Sequence, residues 1–399
     1  MPPVSSQIPA RLRRLMRLST LGRAQGPELF ANQNTPLTSP TTLTFNQLTM
    51  GRPLESIMVV VSFRAVIAVA DYTAGVPEAP QNIIDRITVK GNHRQWGNQT
   101  PIDITGASAF VNPRLYQSMG NDLIIGTTRS DDPGIPFVQT TGMTTGAQGT
   151  YDVRACYEIP MGLQLGSSPS AKAANIPFLW RPEDWGTSLN LTLAMGDKTS
   201  FGTPAATTTV TFTAFGSASG TPLVEVFLNY SLMGAYANMP GGLVIRNEYL
   251  ASPALTATGG SQQVGQLLQK QITSNLILKI GETLTGTSGG VNIYGSLSDV
   301  ALDATQVRLD NKYIRNLGRN YATKNFYSRM FNTIQPQGYL LISFVDGGNP
   351  LLALRADEFS DGANFRMVSD VNVASANRRV QVMQEQIFGG PFLPARKAA

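Results

Sequence analysis

The sequence predicts an all-β protein with two consecutive β-rich halves, and three observations support this prediction. Hydrophobic residues make up 42% of the 399 positions and charged residues only 14%, against about 25% charged residues in average domains. The 38 glycines and 25 prolines are typical of many short strands joined by turns and disfavour long helices. The length of the chain suits two domains.

The first half contains a series of apolar or alternating segments that predict strands. Residues 57–70 are rich in Val and Ile and are interrupted by Arg64, which predicts one long or two consecutive buried strands. In 189–194, leucines alternate strictly with polar residues, as in a half-buried strand. The other strands predicted in this half are 83–89, 150–159, 207–215 and 224–232. Residues 110–119 are a candidate short helix.

The second half repeats this plan after a chain breaker. The cluster Asn238-Met239-Pro240-Gly241-Gly242 is the strongest turn signal in the middle of the chain, and we place a domain boundary there. The strands predicted after it are 243–249, 274–280, 291–297, 339–344, 365–373 and 378–388. One helix is predicted among them, at 310–331, from the spacing of Ile314, Leu317, Tyr321 and Phe326, with Gly318 as a weak point. Each half has the size of an eight-stranded sandwich or jelly roll.

The N-terminal arm carries the whole excess of positive charge. The chain has 31 basic and 26 acidic side chains, and five arginines but no acid lie within residues 1–27, so the rest of the chain is neutral. Residues 5–24 form an amphipathic helix candidate with an apolar face opposite arginines. The residues that we expect to meet a partner are Arg11, Leu12, Arg13, Arg14, Leu15, Met16 and Arg17.

Three partners for this arm stay open. Membrane headgroups fit a helix with leucines on one face and arginines on the other. A neighbouring subunit fits the leucines alone, and nucleic acid fits the arginines without needing an apolar face. The alternative without a partner is a disordered tail, because an isolated helix of this length is marginal in water.

Few residues are available for catalysis or metal binding. Cys156 is the only cysteine and His93 the only histidine, which excludes an intrachain disulfide and a Cys/His metal cluster. We interpret His93 as a surface residue in a polar turn and Cys156 as a small core residue. The carboxylate pairs Asp131-Asp132, Glu183-Asp184 and Asp357-Glu358 lie in turns, where solvated or capping roles are expected. We therefore expect no catalytic, metal or cofactor site and no enzymatic activity.

The longest apolar stretch, 57–70, is shorter than the ~20 residues that span a bilayer. The basic N-terminus also lacks the apolar region of a signal peptide. We therefore expect the protein to be made and assembled in the cytoplasm.

The order of several features resembles a known family. In the first half, the strand segment 149–160 ends at Pro160, and a small-residue loop at 166–175 and its paired strand at 188–194 follow. In the second half, the helix at 310–331, rich in Arg, Asn and aromatic residues, precedes the strand at 338–344 and the closing strand. This order and the basic N-terminal helix resemble the double jelly-roll major capsid proteins of tailless icosahedral bacteriophages of the tectivirus type.

The resemblance implies an all-β fold of two consecutive eight-stranded jelly rolls, with short helices and an N-terminal amphipathic helix. We divide the chain into a basic arm (1–40), a first jelly roll (41–238), a second jelly roll (239–392) and a C-terminal tail (393–399). The implied function is that of a major capsid protein in the virion. Three copies would form a pseudo-hexagonal trimer, and trimers would tile an icosahedral shell over an internal membrane.

The implied partners are other copies of the chain, penton or vertex and minor capsid proteins, internal membrane lipids and, as a further option, nucleic acid. Two alternatives stay open. One is a minor spike or vertex protein of the same virion. The other is a carbohydrate-binding or carbohydrate-degrading jelly-roll protein, in which Trp180 and Trp185 would form the lip of a glycan groove.

Overall fold

The computed structural model of the protein describes residues 28–38, 40–48, 52–69, 72–75, 83–109, 137–139, 149–163, 176–197, 202–204, 209–230, 241–250, 255–268, 272–283, 293–296, 302–310, 312–316, 320–331, 338–345, 352–355, 364–372, 374 and 378–389. Strands dominate these ranges, and helices are short.

The strands of the first half are β1 (Glu28–Asn34), β2 (Thr41–Phe45), β3 (Leu54–Val69), β4 (Tyr72–Gly75), β5 (Ile84–His93), β6 (Gly97–Ile104), β7 (Phe137–Gln139), β8 (Gly149–Pro160), β9 (Asn190–Met195), β10 (Gly202–Pro204), β11 (Thr209–Thr213) and β12 (Leu223–Tyr230). A 3₁₀ turn at Ile176–Phe178 and the helix α1 (Pro182–Trp185) lie between β8 and β9.

The strands of the second half are β13 (Gly242–Leu250), β14 (Gly259–Gln266), β15 (Ile272–Thr283), β16 (Ile293–Ser296), β17 (Leu302–Leu309), β18 (Lys312–Asn316), β19 (Tyr339–Ser343), β20 (Leu354–Arg355), β21 (Phe365–Val371) and β22 (Arg378–Gly389). The helix α2 (Asn320–Phe331) lies between β18 and β19. Every strand predicted from the sequence is confirmed, and β3 is one long strand rather than two.

The first jelly roll consists of two facing sheets. One has the order β1-β12-β3-β8-β7, with β11 also paired to β3, and the other contains β6-β5-β9-β2. Alternate residues of β3, such as Val59 and Val61, share one hydrophobic cluster with Ile87 of β5 and Leu191 of β9. Because successive side chains of a strand point to opposite faces, this alternation fills the space between the sheets.

The second jelly roll repeats the plan. Its outer sheet has the order β14-β21-β17-β18, and its other sheet contains β16-β15-β22-β13, with β19 and β20 also paired to β15. Leu278 of β15, Val382 of β22, Val307 of β17 and Met367 of β21 belong to one buried cluster. The predicted fold class, a double jelly roll, is confirmed.

The two rolls share a sheet. Strand β13 pairs in parallel with β6, with Arg246 opposite Ile102 and Asn247 opposite Asp103. This contact joins β2, β9, β5 and β6 to β13, β22 and β15 in one ten-stranded sheet. The predicted division at 238–242 stays a prediction, and β1 begins at Glu28, inside the segment 1–40 that we assigned to the arm.

The helix predicted at 310–331 is wrong in its first part. Residues Lys312–Asn316 form β18, which pairs with β17, and α2 begins only at Asn320. Asp310 adopts a left-handed backbone conformation, with φ of 51°, which turns the chain back on β17. The hydrogen bonds available along β17 override the helical spacing of Ile314 with later apolar residues.

Two expectations about β8 are also wrong. Strand β9 is not its hydrogen-bonded partner, because β8 pairs with β3 and β7 whereas β9 pairs with β2 and β5 in the facing sheet. Cys156 is not a core residue either. Tyr157 and Ala155 point into the core, so the alternation of β8 places Cys156 on the opposite face, where it is half-buried.

Candidate functional site

A buried ion pair lies where β13 and β22 of the second roll meet the first roll, a contact region that we call the seam. Arg246 on β13 and Glu385 on β22 stand opposite each other in register, and both side chains are almost fully buried. The guanidinium contacts Glu385 Oε2 from Nη2 at 2.6 Å and from Nε at 3.0 Å. Two contacts from one guanidinium to one carboxylate fix the orientation of both side chains.

Arg246 also reaches across the seam to the first roll. Its Nη1 donates to the backbone carbonyl of Pro160, and its Nη2 donates to that of Gly162, both at the end of β8. The second oxygen of Glu385 accepts hydrogen bonds from Ser274 Oγ at 2.6 Å and Asn275 Nδ2 at 2.7 Å. These partners compensate both buried charges, as a buried pair requires.

A second charged residue of β13 binds the first roll directly. Glu248 is buried, and its carboxylate accepts from Thr105 N at 2.6 Å, Thr105 Oγ at 3.1 Å and Ser108 Oγ at 2.7 Å. Arg86 of β5 donates to the backbone carbonyl of Glu248 at 2.7 Å and pairs with Asp103 at 2.7 Å. Burial lowers the pKa of Arg86, but Asp103 and Glu248 outweigh it, so the net pKa is raised. The guanidinium therefore stays charged.

An aromatic cluster forms a second contact between the rolls. It contains all three tryptophans and the only histidine of the chain. The ring centroid of His93 lies 4.3 Å from that of Trp96 and 4.8 Å from that of Trp185, and Trp185 lies 5.1 Å from Trp180. We refer to these four residues as the junction cluster.

The junction cluster packs on the first and last strands of the second roll. A Cβ added at Gly389, near the end of β22, would lie 2.9 Å from Trp96. Next to the cluster, Arg181 and Asp184 pair at 2.6 Å, and a Cβ added at Gly241 would clash with the Nη2 of Arg181. Only glycine leaves room for these side chains, so the two glycines permit the close approach of the rolls.

The interpretation of His93 as a surface residue is wrong. It is the last residue of β5 and is only 3% exposed. Its Nδ1 accepts a hydrogen bond from the backbone N–H of Gln95 at 3.1 Å. Polar neighbours in the sequence hid this burial, because the partners of the imidazole come from α1 and from the β5–β6 turn.

The proposed glycan lip is also wrong. Trp180 is 1% exposed and Trp185 is 3% exposed, so neither ring is available to stack on a sugar. The pair Glu183-Asp184 forms the first turn of α1, where Asp184 pairs with Arg181 and Glu183 lies near the same arginine. These carboxylates have a structural partner rather than the geometry of an acid–base pair.

Several predicted residues lie outside the described residues. They include the arm residues 11–17, the candidate helix 110–119 and the carboxylate pairs at 131–132 and 357–358. In the part of the chain that the structure describes, no group of three metal-binding side chains is found, and no helix is long and apolar enough to span a bilayer.

The seam residues Arg246, Glu248 and Glu385 were missed in the sequence. A signal for them exists, because Arg246 and Glu248 follow the apolar start of β13, lie two residues apart and therefore share one face of the strand. Charged residues on one face of a buried strand indicate a polar contact within the protein.

No protein-family model and no curated protein matches the sequence. Solved structures do match the fold. The MCP of STIV, Sulfolobus turreted icosahedral virus, aligns with a TM-score of 0.55 at 12% identity, over 92% of this chain and 97% of that chain. VP54 of PBCV-1 aligns with a TM-score of 0.54 at 9% identity, over 92% of this chain and 95% of that chain. The chain therefore has the double jelly-roll fold of these two viral capsid proteins.

Proposed function

We propose that the protein is the major capsid protein of an icosahedral virus, a structural subunit and not an enzyme. The observation that carries this proposal is the match of both jelly rolls, over 92% of the chain, to viral capsid proteins. Fold alone does not determine function. The proposal therefore also rests on the seam, which suits a rigid building block, and on the burial of both candidate glycan-binding tryptophans.

The geometry explains how such a subunit would tile a facet. Each chain contributes its two jelly rolls as two similar lobes. Three chains related by a threefold axis therefore present six lobes and pack like a hexamer. The shared sheet and the hydrogen bonds from Arg246 to the carbonyls of Pro160 and Gly162 hold the two lobes of each chain in one orientation. Repetition of one contact geometry is what a closed symmetric assembly requires.

The partners follow from the same proposal. The main partners are copies of the chain, and penton, vertex and minor capsid proteins complete the shell, which assembles in the host cytoplasm. We further propose that the arm points inward and lies on an internal membrane, because Leu12, Leu15 and Met16 share one face of the helix candidate and Arg13, Arg14 and Arg17 lie opposite.

Assembly state tests the main proposal. Purified protein should sediment with three times the mass of the chain, and negative-stain images should show hexagonal outlines. A stable monomer at micromolar concentration with no ordered assembly would contradict a capsid role.

Two variants separate the possible partners of the arm. Vesicles that contain anionic lipid should bind the wild type, and L12S/L15S should lose this binding while it keeps the arginines. The matched variant R13Q/R14Q should weaken binding and make it less sensitive to salt. If L12S/L15S binds vesicles as the wild type does, or if only nucleic acid is bound, the membrane assignment is wrong.

A further inference from the structure

The sole histidine of the chain occupies a site built for a neutral imidazole. Its ring lies between Trp96, tilted by 36°, and Trp185, at 89°. Because Nδ1 accepts the N–H of Gln95, this nitrogen carries no proton in the folded structure. A proton added there would remove the acceptor and leave the Gln95 N–H facing a cation.

The charged groups around His93 do not offer it a free counter-ion among the described residues. On its own strand and turn, Lys90 and Arg94 are exposed cations. From α1 and the residue before it come Arg181, Glu183 and Asp184. Asp184 is already paired with Arg181 at 2.6 Å, and the exposed Glu183 lies 4.0 Å from the same arginine. The second roll approaches the cluster through Gly241 and Gly389, which bring no charge.

Burial lowers the pKa of His93, and Asp184 and Arg181 act in opposite directions on it. An unfolded histidine has a pKa of about 6.5. As the pH falls below that value, the unfolded chain binds a proton that the folded chain does not bind. Stability contributed by the neutral imidazole is therefore complete above the unfolded pKa, and it is lost as the pH falls towards the lowered folded pKa.

We propose that His93 is an acid-sensitive switch in the junction between the two jelly rolls. Protonation of the buried imidazole loosens the packing of the β5–β6 turn and α1 on the ends of β13 and β22. The contact between the rolls then weakens in mild acid, in the range in which only histidine among ordinary side chains changes charge. This pH response is a property of the single subunit, and it does not depend on a role in a capsid.

The composition of the cluster makes the proposal directly measurable. All three tryptophans of the chain lie within the cluster, and a protonated imidazole quenches the emission of an adjacent indole. Tryptophan emission and the thermal unfolding midpoint would be followed from about pH 8 to about pH 5. In the wild type, emission should fall along one titration, and the midpoint should drop by about 2 °C per pH unit in the acid part of this range.

Two variants separate the effect of histidine protonation from that of the carboxylates, which titrate in every form of the protein. His93→Gln keeps a neutral side chain that can accept a hydrogen bond, and it should lose both the emission titration and the additional drop in midpoint. The control H93Q/N98H places a histidine at an exposed position of the neighbouring strand β6, and it should behave like His93→Gln. Equal pH dependence of the wild type and His93→Gln overturns the proposal.

Two measurements locate the effect. Hydrogen exchange of the wild type and His93→Gln, compared at one acidic pH, should show faster exchange in β13 and β22 of the wild type and no difference in β3. In the wild type alone, the Cε1 proton of the single histidine, observed by NMR after selective labelling, should titrate below the ordinary histidine pKa. Faster exchange confined to β5 overturns the proposal. A titration of the wild-type histidine at or above the ordinary value overturns it even if His93→Gln fails to fold.

Discussion

Arg246 and Glu385 illustrate how single charged side chains are accommodated in a buried seam. Each charge is matched by the other, and the remaining hydrogen-bonding positions go to Pro160, Gly162, Ser274 and Asn275. A pair of this kind adds little stability compared with apolar residues of the same shape, but removal of one partner leaves an uncompensated buried charge.

Arg246→Met should therefore destabilise the protein by about 3–5 kcal/mol, measured from the midpoint of urea unfolding. The double variant R246M/E385M should recover most of this loss, because no buried charge remains. The partly exposed pair of Arg64 and Asp152 provides the control, and Arg64→Met should cost far less. A loss for Arg246→Met as small as that of the control would contradict this account.

Gly389→Ala tests the close approach of the rolls. Gly389 has φ of 63° and faces Trp96, so alanine combines backbone strain with a clash and should cost about 2 kcal/mol or more. Gly97→Ala is the matched control. It has φ of 69° and open space at the Cβ position, so it should cost about 1 kcal/mol. Equal thermal unfolding midpoints for the two variants would show that Trp96 does not limit the packing.

The alternation of apolar and polar residues along a strand predicted which face of the strand is buried. It did not predict which residues meet at the contact between the two rolls. Leu191 and Leu193 were identified correctly from their pattern with polar neighbours. The polar sequence neighbours of His93 predict a surface position, but Trp185, which covers one side of its ring, lies on α1 far away in the sequence. Cys156 is predicted in the core because it is small and lies in an alternating strand, but Ala155 and Tyr157 are the buried residues of β8, so Cys156 lies on the other face.

Among the elements, α2 shows how one side chain fixes the position of a helix. Asn320 is buried at its first residue. Its Oδ1 accepts from Thr305 N at 3.1 Å, and its Nδ2 donates to the Leu302 carbonyl at 3.0 Å. These bonds fasten the start of the helix to β17, and Tyr327 fastens its middle to the Ser343 carbonyl at 3.1 Å.

Asn320→Ala should destabilise the protein by about 1–3 kcal/mol, because it leaves the Thr305 N–H and the Leu302 carbonyl buried without this partner. Asn325→Ala, on the exposed side of the same helix, should have almost no effect. Chemical unfolding of both variants checks this prediction. Similar losses for both variants would show that the buried hydrogen bonds of Asn320 do not set the cost.

Long and strongly patterned elements were predictable from the sequence, whereas short and polar ones were not. Strand β3 is rich in Val and Ile, and its composition predicts a buried strand. Strands β1 and β2 lie in a polar stretch, and β2 buries only Leu43 and Phe45 among its five residues. The spacing of apolar residues predicts a helix where β18 lies, because that spacing does not reveal the turn on which the pairing of β18 with β17 depends.

In the whole molecule, the two rolls are joined by the shared sheet, by the hydrogen bonds of Arg246 and Glu248 and by the junction cluster. The parallel contact of β6 with β13 belongs to one sheet of ten strands. Separation of the rolls would expose Arg246, Glu248 and the junction cluster together. The rolls are therefore expected to behave as one cooperative unit.

Unfolding in urea should accordingly show one transition. Tryptophan emission reports on the junction, and far-UV circular dichroism reports on all strands, so the two signals should have the same midpoint. The His93→Gln variant, unfolded in urea at neutral pH, is the control, because its junction cluster should stay packed and its two signals should also have the same midpoint. A change in emission that precedes the loss of strand signal would show that the rolls separate first.

The continuous sheet also bears on how a closed shell could be curved. Bending a subunit between its two lobes would strain the hydrogen bonds of β6 and β13, whereas contacts between separate chains can tilt without breaking a strand ladder. In a shell built from this protein, curvature is therefore accommodated at the boundaries between subunits. A rigid subunit can then occupy either the flat centre or the bent edge of a facet without changing its own shape.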